Sequence, residues 1–482
     1  MKLHPRPAPR AWLTAIVLLV GPLPLACTGA DNTKGGGQGA AANADASGGT
    51  NAPGSGGLNG TGGLSETGAG GQLEATGGVN GELGSGGGSS LDDSADALAA
   101  LQQWLEGAPT ARPALDEQDF ASMPLSADDA RHATDLLWDD LAEQIRATRQ
   151  SEQSSQSIEI DGFTLNYETV VLGEEPADGR SLFISMHGGG SAPKETNDQQ
   201  WQNQILLAES YAPKDALWIA PRAPSDDWNM WFKDHIIPLF DRLITNMIVF
   251  EGIHPDKVYL NGYSAGGDGV YQLGPTMADR WAGAAMSAGH PNDMTPANLR
   301  NIPFAIHVGG DDMAFDRNLV AASWGQQLDY LQAADPEGYP HQVQVHEGLP
   351  HWMNLADQPS VPFIQGFTRN LAPKRVVWRQ STLLQSRFYW LKIAAEHAVK
   401  DAEIVATIDG QTIQLESETS ADITIRLSDT MLDLDQDVSL FLNGAVVFQG
   451  AVSRTILTIF RTLSEREDPA ATYSAEISTL AD

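Results

Sequence analysis

The pentapeptide at positions 262–266, Gly-Tyr-Ser-Ala-Gly, contains a serine, Ser264, in a setting that favours nucleophilic chemistry. It follows a strand-like apolar run at 258–260 and precedes a helix-like run at 269–273. A serine on a sharp strand-to-helix turn exposes its hydroxyl above the sheet edge, and small neighbours permit the strained backbone that this requires. The context predicts a nucleophile at Ser264, against the alternative of a serine that only completes a turn.

A second segment could supply hydrogen-bond donors for such a nucleophile. A buried-strand pattern at 182–186 runs directly into His187, which is followed by three glycines. Turns of this type direct a backbone N–H at the negative charge that develops on a carbonyl oxygen under attack. We expect this turn to supply one oxyanion donor and the N–H of Ala265 to supply the second.

An acidic residue is expected beyond a third apolar run. This run, at 303–308, ends in Gly-Gly-Asp-Asp. A serine needs an imidazole to take its proton, and a carboxylate must hold that imidazole in one tautomer. The G-x-x-D spacing favours Asp312, while Asp311 and Asp316 remain alternatives because any carboxylate of this loop could reach an imidazole.

Four histidines compete for the role of base. His307 and His346 sit inside or at the end of predicted strands, where a histidine is more often structural, and His341 is a further competitor. His351 lies on the loop beyond the run at 343–346. Position therefore predicts His351.

The order Ser, Asp, His, each just past a predicted strand, is the order found in α/β hydrolases. From about residue 181 to 367 the chain resembles the α/β-hydrolase fold esterases, particularly the poly(3-hydroxybutyrate) depolymerase and feruloyl esterase-like group. The resemblance implies a mostly parallel α/β sheet with helices on both faces and an acyl-enzyme route without metal or organic cofactor. It implies Ser264 as nucleophile, His351 as general base and then acid, and Asp312 as the orienting carboxylate. It also implies Gly188 or Gly189, with Ala265, as the oxyanion donors.

Aromatic residues follow another predicted strand, at 216–220, and should lie on the same face of the sheet. Trp228, Trp231 and Phe232 could line an acyl or aryl pocket, or could pack under a loop. His290 follows a further strand-like run and is predicted to line the pocket as well.

The N-terminus has the features of a secretory signal at 1–27. Basic residues precede an apolar run at 11–20 that is too short to span a bilayer. The chain's single cysteine, Cys27, stands where a lipoprotein signal is cut and acylated, although Pro24 occupies a position where leucine is usual. Lipidation at Cys27 is the prediction, and ordinary cleavage is the alternative. Residues 28–90, dominated by small and polar types, predict a disordered tether.

Three folded regions are expected after the tether: a helical segment at 91–150, the catalytic domain at 151–372 and a β-rich accessory domain at 373–482. A capping-box pattern at Ser126 opens an amphipathic helix. Its apolar stripe is predicted to pack on the hydrolase core; the stripe comprises Leu136, Leu137, Leu141 and Ile145.

Three dipeptides predict two-residue hairpin turns: Asp161-Gly162, Asp409-Gly410 and Asn443-Gly444. The first is the antiparallel start of a hydrolase sheet, and the other two indicate a small antiparallel β domain. The acidic residues Asp433, Asp435 and Asp437 lack the offsets of a calcium loop, and we read them as a solvated edge without metal.

The formal net charge of −33 argues against nucleic acid or an anionic membrane surface as partners. The expected partner is an ester substrate, either a small molecule or a polymer, with membrane contact only through a lipid at Cys27. Two alternatives remain: a serine peptidase of the same fold, and a surface binding lipoprotein that uses the fold as a scaffold.

Overall fold

The computed structural model of the protein describes residues 91–480. The predicted signal, Cys27 and the tether at 28–90 lie outside the described residues. Within 91–480, no helix combines the length and the apolar composition that a membrane crossing requires.

An eight-stranded sheet forms the centre of the region at 151–372, in the order β1-β2-β4-β3-β5-β6-β7-β8. The pairs β1–β2 and β2–β4 are antiparallel and all other pairs are parallel. This is the α/β-hydrolase fold that the sequence predicted, and every strand inferred near the candidate site is present. The strands are β1 (Ser157–Ile160), β2 (Phe163–Leu172), β3 (Arg180–Met186), β4 (Ala216–Arg222), β5 (Ile253–Tyr263), β6 (Gly283–Ser287), β7 (Phe304–Gly309) and β8 (His341–His346).

Helices cover both faces of this sheet, because its central strands are apolar on both sides. In β3, Phe183 packs with one set of helices, whereas Leu182 and Ile184 pack with the other. The first set is α3 (Lys194–Tyr211) and α7 (Ser360–Gln365), and the second is α4 (Ile236–Glu251), α5 (Ala265–Thr276) and α6 (Arg317–Ala334).

The N-terminal helices α1 (Leu91–Leu105) and α2 (Ala127–Ser155) pack with a C-terminal helix, α8 (Ile456–Arg466), that the sequence analysis missed. Ser126 caps α2 as predicted, because its side chain accepts the N–H of Asp129. The stripe of α2 is divided between two partners: one part packs on the hydrolase core, as predicted, and the other packs on α8, which the prediction did not include. Leu137 lies in a cluster with α8, and Ile145 packs against Val249 of α4.

The C-terminal region contains two further sheets, ordered β16-β15-β13-β12-β9 and β10-β11-β14-β17. Every pair is antiparallel except β13–β15, which is parallel. The strands are β9 (Arg375–Arg379), β10 (Arg387–Phe388), β11 (Leu391–Lys392), β12 (Glu403–Asp409), β13 (Thr412–Ser417), β14 (Thr424–Leu427), β15 (Val438–Leu442), β16 (Ala445–Gly450) and β17 (Ala475–Ser478).

Two of the three hairpin turns form at the predicted dipeptides, where both central residues have positive φ: 52° and 79° at Asp161-Gly162, and 50° and 81° at Asn443-Gly444. The third is displaced by one residue. Asp409 pairs with Thr412, so the loop is Gly410-Gln411 rather than Asp409-Gly410. A glycine at the first central position suits a type II′ turn.

Buried charges join the C-terminal region to the hydrolase sheet. Asp468 accepts hydrogen bonds from Arg280 at 2.8 Å and from Arg369 at 2.7 Å, and all three side chains are at most 1% exposed. We call these three residues the Asp468 cluster. Apolar residues of both regions also share one buried cluster, which includes Leu260 of β5 and Ile413 of β13.

Candidate active site

Ser264 lies on a sharp turn between the end of β5 and the start of α5, with φ 58° and ψ −120°. Its N–H donates to the carbonyl oxygen of Ser287 at 2.9 Å. Both neighbouring glycines are required by close backbone contacts. A Cβ on Gly262 would lie 2.3 Å from the carbonyl oxygen of Gly266, and one on Gly266 would lie 2.0 Å from that of Met186. The predicted strand-to-helix turn is therefore present.

Three of the predicted site residues form one hydrogen-bonded chain. His351 Nε2 lies 3.0 Å from Ser264 Oγ, and His351 Nδ1 lies 2.6 Å from Asp312 Oδ2. The Asp312 side chain is 2% exposed, while that of His351 is 41% exposed. An ionised carboxylate accepts the Nδ1–H, which leaves Nε2 to accept the serine proton.

The competing residues occupy other positions. Asp311 is exposed, and its N–H donates to the carbonyl oxygen of Leu349. His307 and His346 lie against each other, with ring nitrogens 3.0 Å apart. His341 contacts the carbonyl oxygen of Tyr339. The alternatives therefore belong to local structure, and only Asp312 and His351 are in the chain with Ser264.

Arg317, which the sequence analysis did not single out, lies beside the acid. Its Nη1 is 3.6 Å from Asp312 Oδ1, and its guanidinium lies 5.0 Å from the ring centre of Phe315. Phe315 and Asp316 both have positive φ, 57° and 55°, which is uncommon for such residues. The positive charge of Arg317 at this distance partly balances the negative charge of the buried Asp312 carboxylate. In the sequence, the only indication of this contact was that Arg317 lies five residues after Asp312.

The glycine turn after β3 lies against the nucleophile. A Cβ on Gly188 would be 3.1 Å from Ser264 Cβ. The fully buried His187 fixes this turn, because its Nδ1–H donates to the carbonyl oxygen of Gly188 at 2.6 Å and its Nε2 accepts the N–H of Ala223 at 3.1 Å. Burial lowers the pKa of His187 to about 4, so the ring is neutral and can make both bonds. In a trans peptide the N–H points opposite to the C=O, so the Gly189 N–H faces away from His187.

The predicted pocket aromatics have different environments. Trp228 is 56% exposed, packs beside Gly190 and meets the ring of Phe232 edge-on at 5.4 Å. Trp231 is fully buried, and its Nε1 donates to the carbonyl oxygen of His187 at 2.9 Å. This corrects the pocket assignment of Trp231, which supports the glycine turn from below. Aromatic spacing in a sequence does not reveal which ring faces the solvent.

His290 lies close to the start of α5. Its N–H donates to Asp268 Oδ1 at 2.6 Å, and the Asp268 N–H donates to the carbonyl oxygen of Ser264 at 2.9 Å. Burial raises the pKa of Asp268 to about 6. His290 is partly buried and is held near the nucleophile through Asp268.

Exposed apolar side chains adjoin the chain of Ser264, His351 and Asp312. Met313 and Phe315 lie one and three residues after Asp312 and are each 72% exposed, and Trp352 directly follows His351 and is 40% exposed. Sequence reasoning missed these residues because isolated apolar residues in a loop form no periodic pattern. Together with Trp228 they place apolar surface on separate loops near the nucleophile.

Two concave regions are lined by residues other than the candidate site residues. A groove of about 420 Å³ borders α6 and includes Tyr330, Arg379 and Glu403. Another, of about 580 Å³, borders Asp429 and Tyr473. Within residues 91–480, no group of three or more His, Cys, Asp or Glu side chains is arranged to hold a metal ion.

No family model and no curated protein matches the chain. Solved structures with a similar arrangement include a thermostable esterase, at 17% identity and TM-score 0.33, covering 44% of this chain and 62% of that one. A feruloyl esterase module from Clostridium thermocellum complexed with sinapinate has 14% identity and TM-score 0.32, covering 44% and 86%. The BES protein from Bacillus cereus has 12% identity and TM-score 0.32, covering 44% and 92%. At these values the similarities add no argument to the geometry of the site.

Proposed function

We propose that the protein is a serine carboxylic-ester hydrolase that acts through an acyl-enzyme intermediate. The observation that supports this most is the hydrogen-bonded chain from buried Asp312 through His351 to Ser264, placed on a strained turn at the end of a parallel strand. A structural serine needs neither the strained turn nor the imidazole.

In the first half of the reaction, His351 Nε2 takes the proton of Ser264 as Oγ attacks the ester carbonyl carbon. The carbonyl π bond breaks, and its electron pair forms an oxyanion. The C–O bond to the alcohol then breaks, and the alcohol leaves with the proton that His351 held. Asp312 keeps the imidazole in the required tautomer and stabilises its protonated form.

In the second half, His351 takes a proton from water, whose oxygen attacks the acyl carbon. The bond to Ser264 Oγ breaks, the serine recovers the proton, and the carboxylic acid is released. This cycle returns the protein to its starting state and consumes only ester and water.

Two backbone donors fit the oxyanion. The Ala265 N–H stands at the first position of α5, where helix N–H groups have no partner within the helix. The Gly189 N–H belongs to the peptide beside Ser264 whose carbonyl is held by His187. Removing one donor of this kind typically costs about 100- to 1000-fold in turnover.

The exposed apolar residues near the site favour esters with an apolar acyl or aryl group. Trp228, Phe315 and Trp352 are exposed side chains on three separate loops, and they would offer apolar contacts to such a group. Polyester, feruloyl and acetyl esters stay within this proposal.

The test is hydrolysis of p-nitrophenyl acetate, butyrate and octanoate by the full-length protein and by a Ser264→Ala variant. The variant should lose at least about 10⁴-fold in turnover while its circular dichroism stays the same. A Ser323→Ala variant, which changes an exposed serine on α6, is the matched control and should keep full activity. Equal activity of Ser264→Ala and the parent would contradict the proposal, and cleavage of peptide amides in preference to esters would favour the peptidase.

We also infer export and lipid anchoring at Cys27. The inference rests on the signal-like composition of 1–27 and on the position of the chain's single cysteine. Metabolic labelling with an alkyne fatty acid should mark the parent and not a Cys27→Ser variant. An exported, unlabelled parent would instead indicate ordinary cleavage.

A further inference from the structure

Tyr263, the residue before Ser264, connects the nucleophile turn to the loop that carries His351. Its hydroxyl donates to the carbonyl oxygen of His351 at 2.7 Å and accepts the N–H of Met353 at 2.9 Å. Its ring stands edge-on to the His351 imidazole, with centroids 6.0 Å apart. One side chain therefore contacts both the backbone and the ring of the proposed base.

The surroundings of Tyr263 suit this connection. The side chain is buried in a small apolar cluster with Ala288 and Met353. Burial raises the pKa of the phenol, so the hydroxyl stays protonated and can donate one bond while it accepts another. Both of its partners are backbone groups, whose directions are fixed by the course of the loop.

The loop between β8 and α7 needs such a support. It contains no helix or strand, and Asn354 and Leu355 have positive φ, 51° and 66°. His351 itself is well exposed on this loop. A catalytic group displaced by about 1 Å can lose about 100-fold in rate, so an irregular loop must be held from outside.

We propose that Tyr263 is a positioning residue that keeps His351 Nε2 within hydrogen-bond reach of Ser264 Oγ. This inference rests on the proposed ester hydrolase function. Since Tyr263 and Ser264 are adjacent, the turn that places the nucleophile also places the base. A change in the turn would therefore move both groups together rather than separate them.

The test compares Tyr263→Phe with Tyr259→Phe in the full-length protein. Both changes remove one hydroxyl from β5 and keep the ring. The Tyr259 hydroxyl donates to the carbonyl oxygen of Phe367 at 2.6 Å, beyond α7, so this variant controls for loss of a tyrosine hydrogen bond. Both proteins are assayed at a temperature at which circular dichroism shows them folded, and rates are expressed per folded molecule.

For Tyr263→Phe, kcat for p-nitrophenyl butyrate should fall about 10- to 100-fold while KM stays within about twofold. Tyr263 is not placed to contact substrate, so binding should be unaffected. The rate of inactivation by a small organophosphonate should fall by a similar factor, because that reaction also needs His351 to take the proton of Ser264. Tyr259→Phe should keep the parent kcat and inactivation rate.

A kcat for Tyr263→Phe equal to that of Tyr259→Phe overturns the positioning role, and so does a change confined to KM. Ser264→Ala separates this result from failure of the proposed function. An inactive Ser264→Ala beside a fully active Tyr263→Phe refutes only the role of Tyr263. An active Ser264→Ala refutes the hydrolase mechanism, and the positioning role with it.

Discussion

Asp312 and Asp468 are both buried aspartates, but their hydrogen-bonded chains end differently. Asp312 bonds to His351, which is 41% exposed and reaches Ser264. Asp468 bonds to Arg280 and Arg369, which are at most 1% exposed. One hydrogen-bonded chain ends at the hydroxyl of Ser264, and the other continues through the two arginines to the carboxylates of Asp241 and Asp256, which are 20% and 29% exposed.

The type of partner decides what each arrangement can do. A histidine can take and release a proton near neutral pH, whereas an arginine in a protein remains protonated. The Asp468 cluster therefore has no proton to transfer, and its charges hold two parts of the chain together. A buried carboxylate is a sign of chemistry only when its chain ends in an accessible group that can react.

The largest effect is expected from Asp312→Asn. The amide would offer an N–H to His351 Nδ1 and favour the wrong tautomer, so kcat for p-nitrophenyl butyrate should fall about 10⁴-fold. The fold should persist, since the substitution keeps the shape of the side chain. Asp311→Asn alters the exposed neighbour and should leave kcat within about twofold. The reverse pattern would identify Asp311 as the working acid.

Asp468→Asn should act on stability instead. It removes the counter-charge that Arg280 and Arg369 share, although each arginine keeps a second carboxylate, from Asp241 and Asp256 respectively. The loss of unfolding free energy should therefore stay at or below the about 3–5 kcal/mol that is typical when a buried pair is broken completely. Urea unfolding measures this loss, with Asp437→Asn, an exposed change in the same region, as control. The molecules that remain folded should keep the parent kcat. A loss of kcat without a loss of stability would contradict the structural role.

The stabilising contribution of Asp468 should also depend on pH. Burial alone would raise its pKa, but the charges of Arg369 and Arg280 hold it below its usual range. The native state therefore prefers the ionised form. The stabilising contribution of ionised Asp468 is fully present above the pH range in which carboxyls of the unfolded chain titrate. It is lost as the pH falls below that range, so the stabilities of the parent and of Asp468→Asn should converge at low pH.

The sequence predicted features that depend on local chemistry. The dipeptides Asp161-Gly162 and Asn443-Gly444 form the expected turns, since positive φ at two successive positions is a local requirement. The serine turn was predictable for a similar reason, because Gly262 and Gly266 have no room for a side chain. The positions of Asp312 and His351, just beyond the ends of their strands, could be predicted once the strands were recognised.

Features that depend on distant contacts were not predictable. Trp228 and Trp231 are three residues apart, yet one is 56% exposed and the other is fully buried. The parallel pairing of β13 with β15 is set by packing, not by the turn residues that flank these strands. Tyr263 gave no signal, because its partners lie about ninety residues away. Helix α8 was missed although apolar residues recur along it with helical spacing.

Asp268 is a partly buried aspartate, and its carboxylate belongs to neither kind of hydrogen-bonded chain. Its carboxylate accepts the backbone N–H of His290 and not a cation. Burial raises its pKa to about 6, so the native state binds a proton more tightly than the unfolded state between about pH 4 and 6. Stability should fall as the pH rises through this window, and the full cost is present above it.

Asp268→Asn removes this cost while its amide oxygen can still accept the His290 N–H. The variant should therefore be more stable than the parent at pH 8, by about 3 kcal/mol, with the difference disappearing near pH 4. Urea unfolding at the two pH values measures it. An equal gain at both pH values would assign the effect to packing, and a loss at pH 8 would mean that the ionised carboxylate is stabilised by its surroundings. The expected result would identify Asp268 as a partly buried carboxylate whose charge lowers the stability of the native state at neutral pH.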